Sequence, residues 1–372
     1  MLRTIIILSF LIVQSCAFAP AGHKPVNSNA TPETVNLYKN LIALGQEKVI
    51  FGHQDDLAYG VKWAYEPGRS DIKAVTGAYP GLVGWDIGKL ELGSHLNLDS
   101  VPFDKMQFYI REAYHRGMVN TVSWHIYEPV THKNSWVDEG ETRTTVREIL
   151  PDGQRHQEYV AMLEKVAVFF GQLKKENGTP IPVIFRPFHE NNGDWFWWGA
   201  RHCTPAEYKS LFRFTAKFLT EDKGLNNLLF AYSPDNKFST REEYLQRYPG
   251  DNYVDIIGYD DYHNFSLENG AEKAGKNLEI ICKLAEEKGK VAAFTETGLE
   301  GMTDSTWFTN QLLRAIQYSN VSKNIAYVML WRNANEKHFY TSYPGHGSAE
   351  NLRQFYESPF TVFCNTLPEM YE

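Results

Sequence analysis

Short apolar runs alternate with helix-period stretches along most of this chain. The runs are KVIFGHQ (48–54), GLVGWD (81–86), MVNTVSWH (118–125) and PVIFRPFHE (182–190), followed by NLLFAYSP (227–234), VDIIGYDDY (254–262), KVAAFTETG (290–298) and IAYVMLWRN (325–333). Each is rich in Val, Ile, Phe and Tyr and lacks the apolar–polar alternation of a half-exposed strand, as expected of parallel strands buried on both faces. Between them lie amphipathic segments at 103–117, 158–178, 204–219, 271–289 and 305–319. The third opens with Thr204, Pro205 and Glu207, a cap, a first-turn proline and a reciprocal glutamate. Eight strands alternating with helices predict a single (β/α)8 barrel. An open doubly wound sheet would carry a glycine-rich phosphate loop after its first strand, and FGHQDD is not one.

Polar and aromatic residues collect where the runs stop: His53, Asp86, His125, Glu190, Asp235, Tyr262, Glu296 and Trp331. Active sites of such barrels are built at the C-terminal strand ends. Glu190 closes the fourth run and Glu296 the seventh. These strands face each other across a barrel of eight, so their carboxyl groups can flank a substrate. Glycoside hydrolysis needs two such groups, one to protonate the leaving oxygen and one to attack the anomeric carbon or activate water. Arg186, four residues before Glu190, shares its strand face and can hold a carboxylate by charge-assisted hydrogen bonds. His189 falls on the opposite face if the strand stays regular. Trp195, Trp197 and Trp198 offer apolar surface that raises the pKa of Glu190 and flat faces for sugar rings. Trp195 is expected in the cleft, with at least one of the other two packed away.

The motifs FRPFHE (185–190), GYDDY (258–262) and FTETG (294–298) together resemble glycoside hydrolase family 26, over roughly residues 35–360. The resemblance implies a retaining β-mannanase barrel with catalytic glutamates on strands four and seven. It implies Glu190 as acid/base and Glu296 as nucleophile. It also implies a substrate-binding set of His125, Arg186, His189, Trp195, Tyr262 and Trp331. Many relatives in the wider clan carry Asn before the acid/base to bind an equatorial 2-hydroxyl. Here that residue is His189, which points to mannose with its axial 2-hydroxyl. A β-1,3-xylanase or mixed-linkage β-glucanase on the same scaffold is the alternative. A glycan-binding protein without catalysis is the alternative of another class, but both carboxyl groups are present.

Composition narrows the partners. The chain has 372 residues with a net charge of −8, and 14% are aromatic. An acidic balance disfavours nucleic acid, and aromatic surface suits a neutral polysaccharide such as β-mannan or its oligosaccharides. His53, His125 and His189 do not complete a usual metal set, so no metal or cofactor is expected. A monomer is expected.

At the N-terminus, Arg3 and the apolar run from Ile5 to Val13 have the length of a signal-peptide core. The run ends at Cys16, the pattern of a bacterial lipoprotein. Residues 1–15 are therefore expected as a signal, with Cys16 lipidated, 16–34 as a flexible tether, and 35–372 as the catalytic domain. No acidic cluster follows Cys16, which favours the periplasmic side. Cys203, Cys282 and Cys364 fit no metal pattern and are read as buried free thiols, one disulfide being possible. The long connection at 127–155 contains NSWVDEGETR. It is expected to wall one end of the cleft and so favour release of short units from chain ends.

Overall fold

In this computed structural model, residues 23–372 are described. Eight parallel strands close into a barrel: β1 (Val49–Gln54), β2 (Leu82–Asp86), β3 (Val119–Trp124), β4 (Val183–Pro187), β5 (Leu228–Tyr232), β6 (Ile256–Asp261), β7 (Val291–Thr297) and β8 (Tyr327–Leu330). Each pairs with the next, and β1 pairs with β8. Helices pack outside, including Phe103–His115, His156–Gly171, Pro205–Lys217 and Gly270–Lys288. The barrel predicted from the sequence is the barrel observed.

Alternate residues of the strands fill the interior. Ile50, Leu82, Val119, Ile184, Leu229 and Ile256 form a fully buried plug near the strand starts. The helix Pro32–Gly45 closes that end, adding Leu37, Tyr38 and Leu41 to the same cluster. Burying each leucine is worth about 1.5–3 kcal/mol. The bottom is thus apolar, and the polar residues are left to the other end.

The structure differs from the expected elements in three places. The tether expected over 16–34 is docked in its described part. Pro25 is buried, Val26 N donates to Asp255 Oδ1 (2.7 Å), and Asn27 Nδ2 donates to Leu225 O (2.9 Å). The Thr31 hydroxyl then caps the first helix, with Pro32 at its start. Residues 1–22, with the signal and the Cys16 lipidation site, lie outside the described residues. The helix expected to Gly178 ends at Gly171, because Lys175 to Thr179 makes a tight turn with Gly178 at φ 86°. The segment 305–319 holds a wide π-helical stretch over Phe308–Leu313, followed by a short α-helical turn, Arg314–Ile316. Cys203, Cys282 and Cys364 are free thiols, the first two buried and the third half-buried.

Candidate active site

Two local distortions aim the glutamates. In β7, Val291 and Ala293 point into the barrel. Period two would put Thr295 inside next and turn Glu296 out toward the helices. The ladder with β6 instead runs Tyr259↔Phe294 and then Asp260↔Glu296, leaving Thr295 as an extra residue. The ladder with β8 shifts at the same point. This bulge resets the parity and turns Glu296 inward. Thr295 Oγ1 fixes it through Tyr259 O and Asp260 Oδ1, both at 2.8 Å. Gly258 makes room: a Cβ there would lie 2.4 Å from Thr295 Cγ2.

The fourth strand ends differently. Phe188 and Glu190 both adopt left-handed backbone, at φ 53° and 52°, which costs on the order of 1–2 kcal/mol for each non-glycine residue. The surroundings enforce it. Tyr208 donates its hydroxyl to Phe188 O (3.0 Å), Trp198 Nε1 to His189 O (2.8 Å), and Glu190 N to Ser233 O (2.7 Å). These turns bring both His189 and Glu190 to the barrel axis, which a regular strand could not do.

Arg186 is the hub of the inner polar layer and is 1% exposed. Its Nη1 donates to Asp260 Oδ2 (2.7 Å) and Ser233 Oγ (3.2 Å), and its Nη2 to Glu296 Oε2. Tyr262 donates its hydroxyl to the other Glu296 oxygen at 2.7 Å. Burial opposes charge on Arg186, but Asp260 and Glu296 outweigh it and hold the guanidinium charged. Burial, and then the charge of Glu296, push the Tyr262 phenol far up, so it stays a donor.

Glu190 sits in the opposite environment. Its partner is the neutral Trp195 Nε1–H, at 2.7 Å. Burial above all, then the negative charges of Asp260, Glu296 and Asp235, raise it well above the ordinary carboxyl range. Lys237 Nζ lies 4.4 Å from the centre of the Trp195 ring, on the rim of the site. Trp195 is half-buried, whereas Trp197 and Trp198 are 1% and 0% exposed and support the loop from behind.

Opposite this pair, His125 Nε2 and His189 Nε2 are 3.2 Å apart, and His125 Nδ1 is 2.7 Å from Asp86 Oδ2. The Trp331 ring stands 5.9 Å from that of His125, and half-buried Trp331 completes the wall. The connection 127–155 is tied to the β4 loop. Val137 N donates to Trp195 O (2.7 Å) and Trp197 N to Ser135 O (3.1 Å), while exposed Trp136 packs on Phe196 with ring centres 4.8 Å apart.

Every expected site residue except Cys16, which is not described, therefore meets another at the strand ends. The sequence reading missed Asp260 as the second partner of Arg186 and Asp86 as the partner of His125. Parity held the signal for both: Ile256, Gly258 and Asp260 share the inner face of β6, as Leu82, Gly84 and Asp86 share that of β2.

A closed parallel barrel with two carboxyl groups in contrasting environments, on β4 and β7, defines a class of glycosidase-like barrels. A family profile described as glycosyl hydrolase family 26 matches residues 26–362. The chain is 32% identical to a mannan endo-1,4-beta-mannosidase of Bifidobacterium adolescentis, over 92% of this chain and 36% of that protein. It thus spans about a third of that relative's length. Among solved structures it is similar to a family 26 beta-mannanase from Bacteroides ovatus (42% identity, TM-score 0.87, 92% of this chain and 98% of that one). It is also similar to a modular endo-beta-1,4-mannanase from Cellulomonas fimi (35% identity, TM-score 0.86, 94% of this chain and 80% of that one). The chain belongs to glycosyl hydrolase family 26.

Proposed function

We propose that this protein hydrolyses β-1,4-mannosidic bonds with retention, with Glu190 as acid/base and Glu296 as nucleophile. The observation that carries the reading is the contrast between the two carboxyl groups. Glu296 is held by a buried guanidinium and a phenol. Glu190 is half-buried beside negative charge, with one indole N–H as partner. In the first step a Glu296 oxygen bonds to the anomeric carbon as the glycosidic C–O bond breaks, and Glu190 gives its proton to the departing oxygen. In the second, water gives a proton to Glu190 and its oxygen to the anomeric carbon, releasing Glu296. Mannan as substrate is supported by the names of the relatives and by His189 standing before the acid/base.

Reducing-end assays on linear β-mannan, β-1,3-xylan and mixed-linkage β-glucan test the substrate. Turnover of mannan alone is expected, and preference for either other polymer overturns the mannan reading. A finer proposal is release of short units such as mannobiose from chain ends, supported by the connection 127–155 pinned beside the β4 loop. Galactomannan viscosity should then fall slowly as reducing ends appear; a steep early fall would mean internal cutting. Lipidation at Cys16 is proposed from residues 1–16, and the periplasmic side of a bacterial membrane from the lack of an acidic cluster directly after Cys16. Cys16→Ser should move the protein from the membrane to the soluble fraction, and unchanged membrane retention would refute it.

A further inference from the structure

Trp136 is 57% exposed. Single exposed apolar side chains are ordinary on a protein surface. Phe108 and Val168 are about as open, but both sit on the outer helices. Trp136 instead lies in the connection 127–155, at the strand-end face, and its backbone is fixed there. It forms an antiparallel bridge with Phe196, through Val137 N to Trp195 O (2.7 Å) and Trp197 N to Ser135 O (3.1 Å). A second tie runs through His202, which accepts from Arg143 N at Nδ1 (3.1 Å) and places Nε2 2.9 Å from Asp194 O. Within the connection, buried Glu128 accepts from the hydroxyls of Thr131 and Thr145 and so gathers its two arms. A segment held in this way has little freedom left to lose when a ligand settles on it.

Phe196 links the Trp136 ring to the site. It is buried, and its ring centre lies 4.8 Å from that of Trp136, 5.4 Å from His125 and 5.2 Å from His189. It stacks on buried Trp198 at 4.5 Å, which keeps it from yielding. Trp136 therefore stands one ring beyond the two histidines. The segment it bridges to also carries Trp195, whose indole N–H holds Glu190. The open part of an indole is a broad apolar surface, and the C–H face of a neutral pyranose is a flat partner for it.

We propose that Trp136 is the platform of a further sugar subsite, binding a mannosyl unit outside those held at the two glutamates by stacking on that unit's C–H face. This rests on the mannoside hydrolysis proposed above. The test is kcat/KM across linear manno-oligosaccharides of increasing length, for the parent, Trp136→Ala and Trp136→Tyr. The ratio of kcat/KM for mannohexaose to that for the shortest chain cleaved should fall about tenfold in Trp136→Ala, the scale of uncovering one aromatic face. Trp136→Tyr keeps a flat ring and should restore most of the ratio. An unchanged ratio in Trp136→Ala overturns the proposal, whether activity is untouched or is lowered equally at every length because the connection has shifted. A binding measurement keeps Trp136 in place. In the Glu296→Ala protein, oxidation of Trp136 by N-bromosuccinimide, read by peptide mass spectrometry, should be slowed by mannohexaose. The same rate with and without mannohexaose overturns the proposal. A parent inert on every manno-oligosaccharide would defeat the hydrolysis reading instead, and the oxidation measurement would still decide the platform.

Discussion

Replacing Arg186 by Met tests the buried charge cluster. Arg186, Asp260 and Glu296 are 1%, 0% and 4% exposed. At a surface such pairs would be worth about 0–1 kcal/mol. Here, removing the cation leaves two carboxyl groups facing each other out of water, a loss of about 3–5 kcal/mol. Met keeps most of the aliphatic volume, so little of this loss comes from a cavity. Asp260 retains the hydroxyls of Thr295 (2.8 Å) and Ser233 (3.1 Å), which soften the loss without removing it. The pH dependence has a definite sign. Burial pushes the Asp260 carboxyl up, Arg186 pulls it down, and Glu296 pushes it up again. Without Arg186 the pull is gone and the folded-state pKa rises. A carboxyl raised in the folded state favours folding at low pH and loses that contribution as pH climbs through its pKa. The deficit of Arg186→Met relative to the parent should therefore be largest near pH 8 and shrink toward pH 5. Urea unfolding followed by tryptophan fluorescence at the two pH values measures it. Adding Asp260→Asn should recover part of the loss at pH 8, because the like-charge pair is then gone. A loss under about 1 kcal/mol at pH 8, the surface-pair scale, or a deficit that grows on acidification, would refute the reasoning.

Three further outcomes follow from the same geometry. Glu296→Ala should be inactive on every substrate, whereas Glu190→Ala should keep substantial turnover of dinitrophenyl mannosides; equal losses on that substrate would contradict the division of roles. Gly258→Ala places a methyl against Thr295 and should displace the β7 bulge, at about 1–3 kcal/mol of stability and a marked fall in kcat. Unchanged kcat would show that the bulge does not position Glu296. Trp331→Ala should weaken binding of manno-oligosaccharides by about 1–3 kcal/mol, on the scale of burying a large side chain, as read by calorimetry on an inactive Glu296→Ala background.

The barrel was legible because each strand is an apolar run buried on both faces, and because Thr204, Pro205 and Glu207 spell out a helix start that forms the expected reciprocal cap. Arg186 was legible because β4 is regular up to Pro187. The inward aim of Glu296 was not, since Val291 and Ala293 assign it to the wrong face and only pairing with β6 and β8 reveals the extra residue. The left-handed turns at Phe188 and Glu190 carry no glycine to announce them. They are imposed by Tyr208, Trp198 and Ser233, from segments distant in sequence or folded back on the strand end. The docked segment near Val26 depends on Asp255, more than two hundred positions away, and its Pro- and Asn-rich composition reads locally as a linker.

The central claim is that Glu296 attacks the sugar and Glu190 handles the proton. Proton NMR of a β-1,4-manno-oligosaccharide digest, recorded before mutarotation, tests it most directly. The account predicts the β anomer as the first new reducing end. An α anomer appearing first would mean direct attack by water, and would contradict the assignment of Glu296 as nucleophile.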